Sequence, residues 1–206
     1  GNGDKRLFLS PGEIKPENIN PYLMPAPNVW VDKSPKPISK SLPEMMYGSK
    51  PVDGGHFHLS PNERENMISL HPQSDTFIRR LIGSQEMLKD LERYCLWIEN
   101  DELDKAMRIQ PIHERIEKVR QMRLASKKEA TRKSASRPHE FDENRYVDND
   151  MLIAIPSVSS GERKFLPVIM CCDGEVINNS AFTIPNAEPW QMAILSSTLH
   201  RCWLGA

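Results

Sequence analysis

Residues 151–172, "MLIAIPSVSSGERKFLPVIMCC", show two apolar runs separated by a polar stretch. Two continuous apolar runs, 151–156 and 165–172, have the length of strands and flank a polar stretch at 157–164. Continuous apolar runs of this length are typical of strands that are buried on both faces. The sequence therefore predicts two core strands joined by an exposed polar segment, which we call the inter-strand loop (residues 157–164).

The pattern on either side predicts a mixed order of helices and strands. Further strands are expected at 28–32, 56–59, 93–99 and 175–185, and helices at 61–70, 75–81, 111–135 and 189–203. The helix at 61–70 has the strongest local signal, because Ser60, Pro61 and Glu63 match a capping box with proline at the first helical position. Strands and helices alternate irregularly and the strands cluster late. The predicted fold class is therefore α+β, with one long basic helix and a C-terminal helix.

The first 27 residues contain five prolines and predict an irregular N-terminal segment, followed by one domain over 28–206. Within that segment, "NINPYL" (18–23) is one proline short of the Asn-Pro-Pro-Tyr box that grips a flipped adenine in adenine methyltransferases. The preceding residues, "GEIKPENI", do not have the pattern of a buried strand. We therefore interpret "NINPYL" as a turn fixed by Pro21, with Tyr22 and Leu23 packed.

Composition and chain length limit the function classes. No apolar run approaches the ~20 residues that a membrane-spanning helix needs, and the N-terminus lacks the apolar core of a signal peptide. The four cysteines show no metal-binding spacing. We expect a cytoplasmic protein with reduced thiols and no membrane partner. Because the chain stops soon after its last predicted helix, we also expect it to be a piece of a larger protein.

Positive charge is concentrated in one part of the chain. Residues 105–137, the basic segment, contain eleven Lys and Arg against three Glu, a net charge of +8, whereas the whole chain carries −1. Ile112, Ile116 and Val119 recur at helical spacing in the first half of its helix. This apolar stripe fades beyond Leu124 while lysines accumulate. The end of the helix is therefore expected to leave the core and meet water or phosphate.

Two groups of side chains suit double-stranded DNA. Lysines and arginines neutralise phosphates, whereas Ser, Glu and Arg match the hydrogen-bonding pattern of base edges. The predicted phosphate-binding residues are Arg123, Lys127, Lys128, Arg132, Lys133 and Arg137. The predicted base-reading residues are Ser157, Ser159, Ser160, Gly161, Glu162 and Arg163. The sequence shows no convincing catalytic motif or metal site, and no cofactor is expected in this chain.

Two other interpretations stay open at this point. Asp150, Glu162 and Lys164 loosely match a nuclease core in which two carboxylates hold Mg²⁺ and a lysine orients water. Alternatively, the chain is a protein-interaction module whose basic segment faces an acidic partner. His56 and His58 share one strand face, but no third metal ligand is identifiable in the sequence.

Eight blocks of sequence occur in a familiar order. They are "NINPYL", "MMYGSKPVDGG", "FIRRLIGSQE", "RYCLWI", "RLASKKEATRK", "IPSVSSGERKFLPV", "NSAFTIPNA" and "ILSSTLHRCW". Together they resemble the target-recognition domain of MmeI-like enzymes, which are fused type II restriction–modification proteins. The resemblance covers nearly the whole chain, from about residue 14 to the end.

The resemblance implies a role in a larger enzyme. The parent enzymes of this family carry a nuclease domain, then a central adenine-N6 methyltransferase that uses S-adenosylmethionine, and then this recognition domain. Mg²⁺ is expected for the parent enzyme. The implied role is to read a short DNA site and present its adenine to the neighbouring domain. In this family, charged residues of the matching loop carry part of the base discrimination. The resemblance implies that the positions with this role here are Gly161, Glu162 and Arg163. The matching loop usually has a charged residue where this chain has Gly161.

Overall fold

A computed structural model describes residues 3–9, 12–28, 30, 39, 41–146, 151–172 and 174–204. The chain separates into two compact units, residues 1–42 and 43–205. The strand predicted at 28–32 lies largely outside the described residues. The boundary predicted at residue 28 stays a prediction.

The first unit contains a short hairpin that the sequence pattern did not reveal. Strands β1 (Leu7–Leu9) and β2 (Gly12–Ile14) pair antiparallel. The prediction that residues 1–27 are wholly irregular is therefore wrong. A run of three residues is too short to show a periodicity that could be recognised in the sequence.

The "NINPYL" stretch forms a turn, as predicted, but the details differ. The Asn20 side-chain oxygen accepts hydrogen bonds from the backbone N–H groups of Tyr22 and Met24, at 3.0 and 2.9 Å. Leu23 has a positive φ of 59° and is 71% exposed, and Tyr22 is also exposed. The predicted packing of Leu23 is wrong, and the side chain of Asn20 holds the turn.

The second unit contains two four-stranded sheets. The first sheet has the order β3 (Met46–Tyr47), β10 (Ala181–Pro185), β7 (Met151–Pro156) and β8 (Ile169–Cys172), and every pair is antiparallel. The second sheet has the order β4 (His58–Leu59), β6 (Tyr94–Leu96), β5 (Ile78–Ile82) and β9 (Val176–Ile177). Only its β5–β9 pair, among the described strands, is parallel.

Seven α-helices accompany the described strands. They are α1 (Pro61–Leu70), α2 (Ser84–Lys89), α3 (Leu103–Met107), α4 (Gln110–Leu124), α5 (Glu129–Lys133), α6 (Pro189–Leu195) and α7 (Thr198–Leu204). Short 3₁₀ helices occupy Pro72–Phe77, Asn100–Glu102 and Ser134–Ser136. The capping box of α1 is present, with Ser60 and Glu63 exchanging hydrogen bonds. The mixture of helices and antiparallel sheets confirms the predicted α+β class.

Helix α4 and the second sheet share the largest core. Ile112, Ile116 and Val119 of α4 lie in one buried cluster with Leu81 and Leu96 of the sheet. These three α4 residues are the apolar stripe predicted from the sequence. Burial of aliphatic side chains contributes about 1.5–3 kcal/mol each, so this cluster fixes the position of α4 on the sheet.

Strand β7 is buried on both faces, as its continuous apolar pattern predicts. Leu152 and Ala154 belong to one buried cluster, whereas Ile153 and Ile155 belong to another. Met192 and Leu195 of α6 pack against the second of these clusters. The inter-strand loop therefore begins at the end of a strand that is held from both sides.

Three predicted elements differ from the observed ones. Residues 78–82, expected to continue a helix, form strand β5, because a short apolar run fits either element and pairing with β6 decides between them. The strand predicted at 165–172 begins only at Ile169. The helix predicted at 189–203 is interrupted after Leu195, so that α6 and α7 are separate.

The long helix predicted at 111–135 is also broken. Helix α4 ends at Leu124 and α5 begins at Glu129. Arg123, in the last turn of α4, is fully buried. Its guanidinium donates five hydrogen bonds, all to backbone carbonyl oxygens at 2.7–3.0 Å: Pro51, Val52, Ser134, Arg137 and Glu140.

These five bonds use every N–H of the Arg123 guanidinium. The chain after α4 must fold back to bring the carbonyls of residues 134–140 to this group, and a continuous helix could not do so. Burial lowers the pKa of Arg123 from its ordinary value, but a guanidinium stays protonated in proteins. Arg123 is therefore a buried cation that joins three backbone segments.

No helix among the described residues is long and apolar enough to cross a membrane. All four cysteines are free thiols.

We expect Arg123→Met to lower the free energy of unfolding by about 3–5 kcal/mol, because it leaves five buried or half-buried carbonyl groups without their donors. Urea unfolding followed by circular dichroism measures the change. Arg132→Met is the matched control, since Arg132 is exposed and donates to two exposed carbonyls; its cost should stay below about 1 kcal/mol. Equal losses in both variants would contradict the role of Arg123.

His139 gives the fold a dependence on pH. Its ring is 6% exposed, and Nε2 lies 2.9 Å from the Asn100 side-chain oxygen. Burial lowers its pKa below the ordinary 6.5, and Arg123 and Arg137 lower it further while Glu140 opposes them. The unfolded chain therefore binds a proton that the folded chain does not, and stability is lost as pH falls through about 6.5.

We expect the urea concentration at the unfolding midpoint of the wild type to decrease when the pH is lowered from 7.5 to 5.5. The variant His139→Gln should show a weaker dependence on pH. Glutamine keeps a donor for Asn100 but does not titrate. Glu140, whose pKa is lowered from 4.5, loses its contribution only at lower pH. His113→Gln, on α4, is the control and should keep the wild-type slope. If the urea midpoint of His139→Gln depends on pH as strongly as that of the wild type, this explanation is wrong.

Candidate nucleic-acid interface

The inter-strand loop is anchored at its start by Ser157. The Ser157 hydroxyl donates to the carbonyl of Ser180 at 2.6 Å, and its backbone N–H lies 3.2 Å from the Ser84 hydroxyl. Gly83 lets these segments approach closely, because a Cβ there would lie 2.5 Å from the Ser180 hydroxyl oxygen. Ser157 is half-buried and fixes the loop to the sheet, so it supports the tip rather than belonging to it.

The tip of the loop is a tight turn over 160–163. The backbone N–H of Arg163 donates to the carbonyl of Ser160 at 3.2 Å, and the N–H of Glu162 donates to the Ser160 hydroxyl at 3.3 Å. Ser160, Gly161, Glu162 and Arg163 are exposed, whereas Ser159 is half-buried. Within the described part of the chain, the Glu162 and Arg163 side chains have no hydrogen-bond or ion-pair partner. Both are therefore free to meet another molecule.

A residue that sequence reasoning did not single out contacts this tip. Arg201 of α7 donates through Nη2 to the carbonyl of Gly161 and through Nε to the carbonyl of Arg163, the latter at 3.3 Å. The contact spans about forty positions of sequence. An arginine on a short helix carries no local signal of such a role, so only the folded chain reveals it.

The structure divides the six predicted phosphate-binding residues. Arg123 is buried with all its donors used, so its assignment as a phosphate ligand is wrong. Arg137 is half-exposed and bonds within the protein, at 2.8 Å to the Glu140 carboxylate and 2.6 Å to the Asp142 carbonyl. A phosphate at Arg137 would have to compete with these partners.

The other four residues lie together on the surface. Lys127, Lys128, Arg132 and Lys133 are exposed within residues 127–133, which we call the basic turn. Glu129 pairs with Lys133 at 3.0 Å, and both side chains are more than 70% exposed, so the pair contributes little. The basic turn keeps a net charge of +3, which suits a polyanion.

The nuclease arrangement does not gain support from the geometry. Asp150 lies outside the described residues. Lys164 lies over the Phe165 ring, with Nζ 5.3 Å from its centre. No group of three or more His, Cys, Asp or Glu in the described ranges could hold a metal ion, and His56 and His58 acquire no third ligand there.

A family model for the MmeI target recognition domain matches residues 25–206. The chain belongs to this family. DNA methyltransferase A of Bacillus subtilis (strain 168) is 31% identical over 203 residues, which are 98% of this chain and 23% of that protein. A solved structure of the Type IIL restriction-modification enzyme MmeI in complex with DNA matches with a TM-score of 0.79 and 37% identity, over 93% of this chain and 25% of that one.

The chain thus spans about a quarter of the length of these relatives. The resemblance described from the sequence is confirmed, and the family model matches it over residues 25–206. In this member of the family, an exposed charged tip follows a buried strand, and a separate basic turn is exposed.

Proposed function

We propose that this chain is the sequence-specific double-stranded DNA recognition domain of an adenine-N6 DNA methyltransferase fused to a restriction endonuclease. The observation that carries the proposal is the family match over residues 25–206. The 37% identity to an enzyme solved in complex with DNA supports it. The chain would read a short DNA site and present its adenine to a methyltransferase domain of the same polypeptide.

The tip of the inter-strand loop is the proposed base-reading element. An arginine donates in bidentate fashion to O6 and N7 of guanine, and a glutamate accepts from N4 of cytosine. Arg163 and Glu162 are adjacent, exposed and without partners among the described residues, as such contacts require. Ser159, Ser160 and Gly161 complete the surface that would enter the groove, while Ser157 holds the base of the loop.

The basic turn is the proposed phosphate-binding element. Phosphate contacts fix the register and orientation of a protein on the duplex without reading its sequence. Lys127, Lys128, Arg132 and Lys133 have exposed ammonium or guanidinium groups that can take this role at little desolvation cost. Arg137 is a weaker candidate, because its partners Glu140 and Asp142 already hold it.

The parent enzyme would supply the chemistry. S-adenosylmethionine as methyl donor and Mg²⁺ for cleavage are proposed for its methyltransferase and nuclease domains, which are the partners of this chain besides DNA. The family membership and the curated methyltransferase relative support this. Because DNA is the proposed ligand, the cytoplasm is the proposed compartment.

Selection from a pool of randomised duplexes, followed by fluorescence anisotropy at several salt concentrations, tests the function. We expect one enriched sequence and an affinity that falls steeply with salt. The double variant Lys127→Gln/Lys128→Gln should weaken binding equally for all sequences. The slope of log K against log salt should become shallower by roughly two, since two phosphate contacts are lost.

Lys105→Gln/Lys118→Gln is the matched control for that double variant. It removes the same charge from exposed lysines of the basic segment that lie outside the basic turn. Its salt slope should stay close to that of the wild type. Equal changes of slope in the two variants would show that the basic turn is not the phosphate contact. A wild type that binds every duplex alike would overturn the proposed function.

We expect Arg163→Ala to relax the preference at one base position, at a cost of about 1–3 kcal/mol on the preferred duplex. The measurement is the dissociation constant for the selected duplex and for each of its single-base variants. Lys164→Ala is the control, because Lys164 neighbours the tip but lies over the Phe165 ring. If Arg163→Ala weakens all duplexes by the same factor, Arg163 does not read a base.

A further inference from the structure

We infer that Arg201 is a positioning residue for sequence discrimination. It holds the tip of the inter-strand loop in one orientation, so that Glu162 and Arg163 present their side chains to the groove together. This inference rests on the proposed function. It assigns to α7 a part in base reading that neither the sequence pattern nor the basic segment indicates.

The two bonds from Arg201 are placed to fix orientation as well as position. They reach the carbonyls of Gly161 and Arg163, the two residues on either side of Glu162. Nε and Nη2 lie on one edge of the planar guanidinium, which presents its donors in a rigid fork. A fork that engages both carbonyls restricts rotation of the peptide unit that precedes Glu162 and of the one that follows Arg163.

The other hydrogen bonds of the tip do not fix it to the rest of the fold. The bonds of Arg163 and Glu162 to Ser160 lie within the tip and shape the turn, but they cannot fix it to the rest of the protein. Ser157 anchors only the start of the loop. Among the described hydrogen bonds, those from Arg201 are the link between the tip and another element of the fold.

Helix α7 is linked through α6 to the strand from which the loop departs. The N–H of Arg201 donates to the carbonyl of Ser197 at 3.1 Å, and His200 Nδ1 lies 2.8 Å from the carbonyl of Leu195. Leu195 and Met192 pack against the cluster that contains Ile153 and Ile155 of β7. The contacts therefore form a closed loop: β7 leads into the inter-strand loop, Arg201 of α7 binds its tip, and α6, next to α7, packs against β7.

The tip can vary chemically without losing this support. Arg201 binds main-chain carbonyls rather than side chains, so its grip does not depend on the identity of residues 161–163. A Cβ added at Gly161 would lie 3.9 Å from Arg201 Nη2, an ordinary contact. A side chain at position 161 is therefore compatible with the two hydrogen bonds from Arg201.

A direct phosphate contact by Arg201 would have different consequences. Loss of a phosphate ligand weakens binding to all sequences alike and makes the salt slope shallower by about one. Loss of a positioning contact leaves the charge contacts unchanged but lets the tip take several orientations. The loss then falls on the base positions that the tip reads.

The experiment compares Arg201→Met and Arg201→Lys in the full chain. Dissociation constants are measured for the selected duplex and its single-base variants at two salt concentrations, together with the melting temperature. Arg132→Met is the matched control, because Arg132 also donates to two carbonyls but belongs to the basic turn. It should weaken all duplexes alike and keep the base preferences.

We expect Arg201→Met to reduce discrimination about tenfold at the positions identified with Arg163→Ala, with an unchanged salt slope. Arg201→Lys keeps the charge but not the fork, so it should restore less than half of that discrimination. If Arg201→Met lowers the melting temperature so far that binding cannot be measured, Arg201→Lys decides by the same criterion.

Three results would overturn the inference. They are unchanged discrimination in Arg201→Met, a loss that is uniform across sequences with a shallower salt slope, and full recovery in Arg201→Lys. A wild type that does not discriminate between duplexes defeats the proposed function itself. If the wild type discriminates between duplexes and Arg201→Met discriminates equally well, only the role of Arg201 is contradicted.

Discussion

The buried guanidinium of Arg123 is the constraint on which the second half of the domain depends. A cation without contact to water is tolerated only when its donors are satisfied, and here five backbone carbonyls satisfy them. Two of these carbonyls belong to residues 51 and 52 and three to residues 134–140. The interaction ends α4, turns the chain back, and fixes where the exposed lysines that follow must lie.

This constraint separates two kinds of positive charge that look alike in the sequence. Arg123 stabilises the fold from within, and Arg137 next to it is held by Glu140 and Asp142. The lysines of the basic turn are left at the surface by the same fold-back. A domain that binds a polyanion gains from this division, because a short folded-back segment presents its cations without first having to order a long exposed helix.

The sequence predicted features that repeat along one element and missed those that join distant elements. The stripe of Ile112, Ile116 and Val119 and the continuous apolar pattern of β7 gave the burial of α4 and β7 correctly, because side-chain periodicity follows backbone geometry. Residues 78–82 were misassigned, since a run of five fits a helix or a strand until β6 pairs with it. Arg123 and Arg201 were missed as structural contacts because a charged residue gives no local sign of burial or of a partner far along the chain.

The same distinction explains how the proposed reading head can be both variable and accurate. Its chemistry would lie in the side chains of Glu162 and Arg163, which have no partner among the described residues. Its geometry lies in the Ser157 hydroxyl at the start of the loop and in the tip carbonyls that Arg201 binds. A substitution at the tip then alters which base edge is matched and leaves the support intact. A tip held through the side chains of residues 161–163 would lose its shape with each such change, whereas the bonds of Arg201 to carbonyls would survive a substitution at those positions.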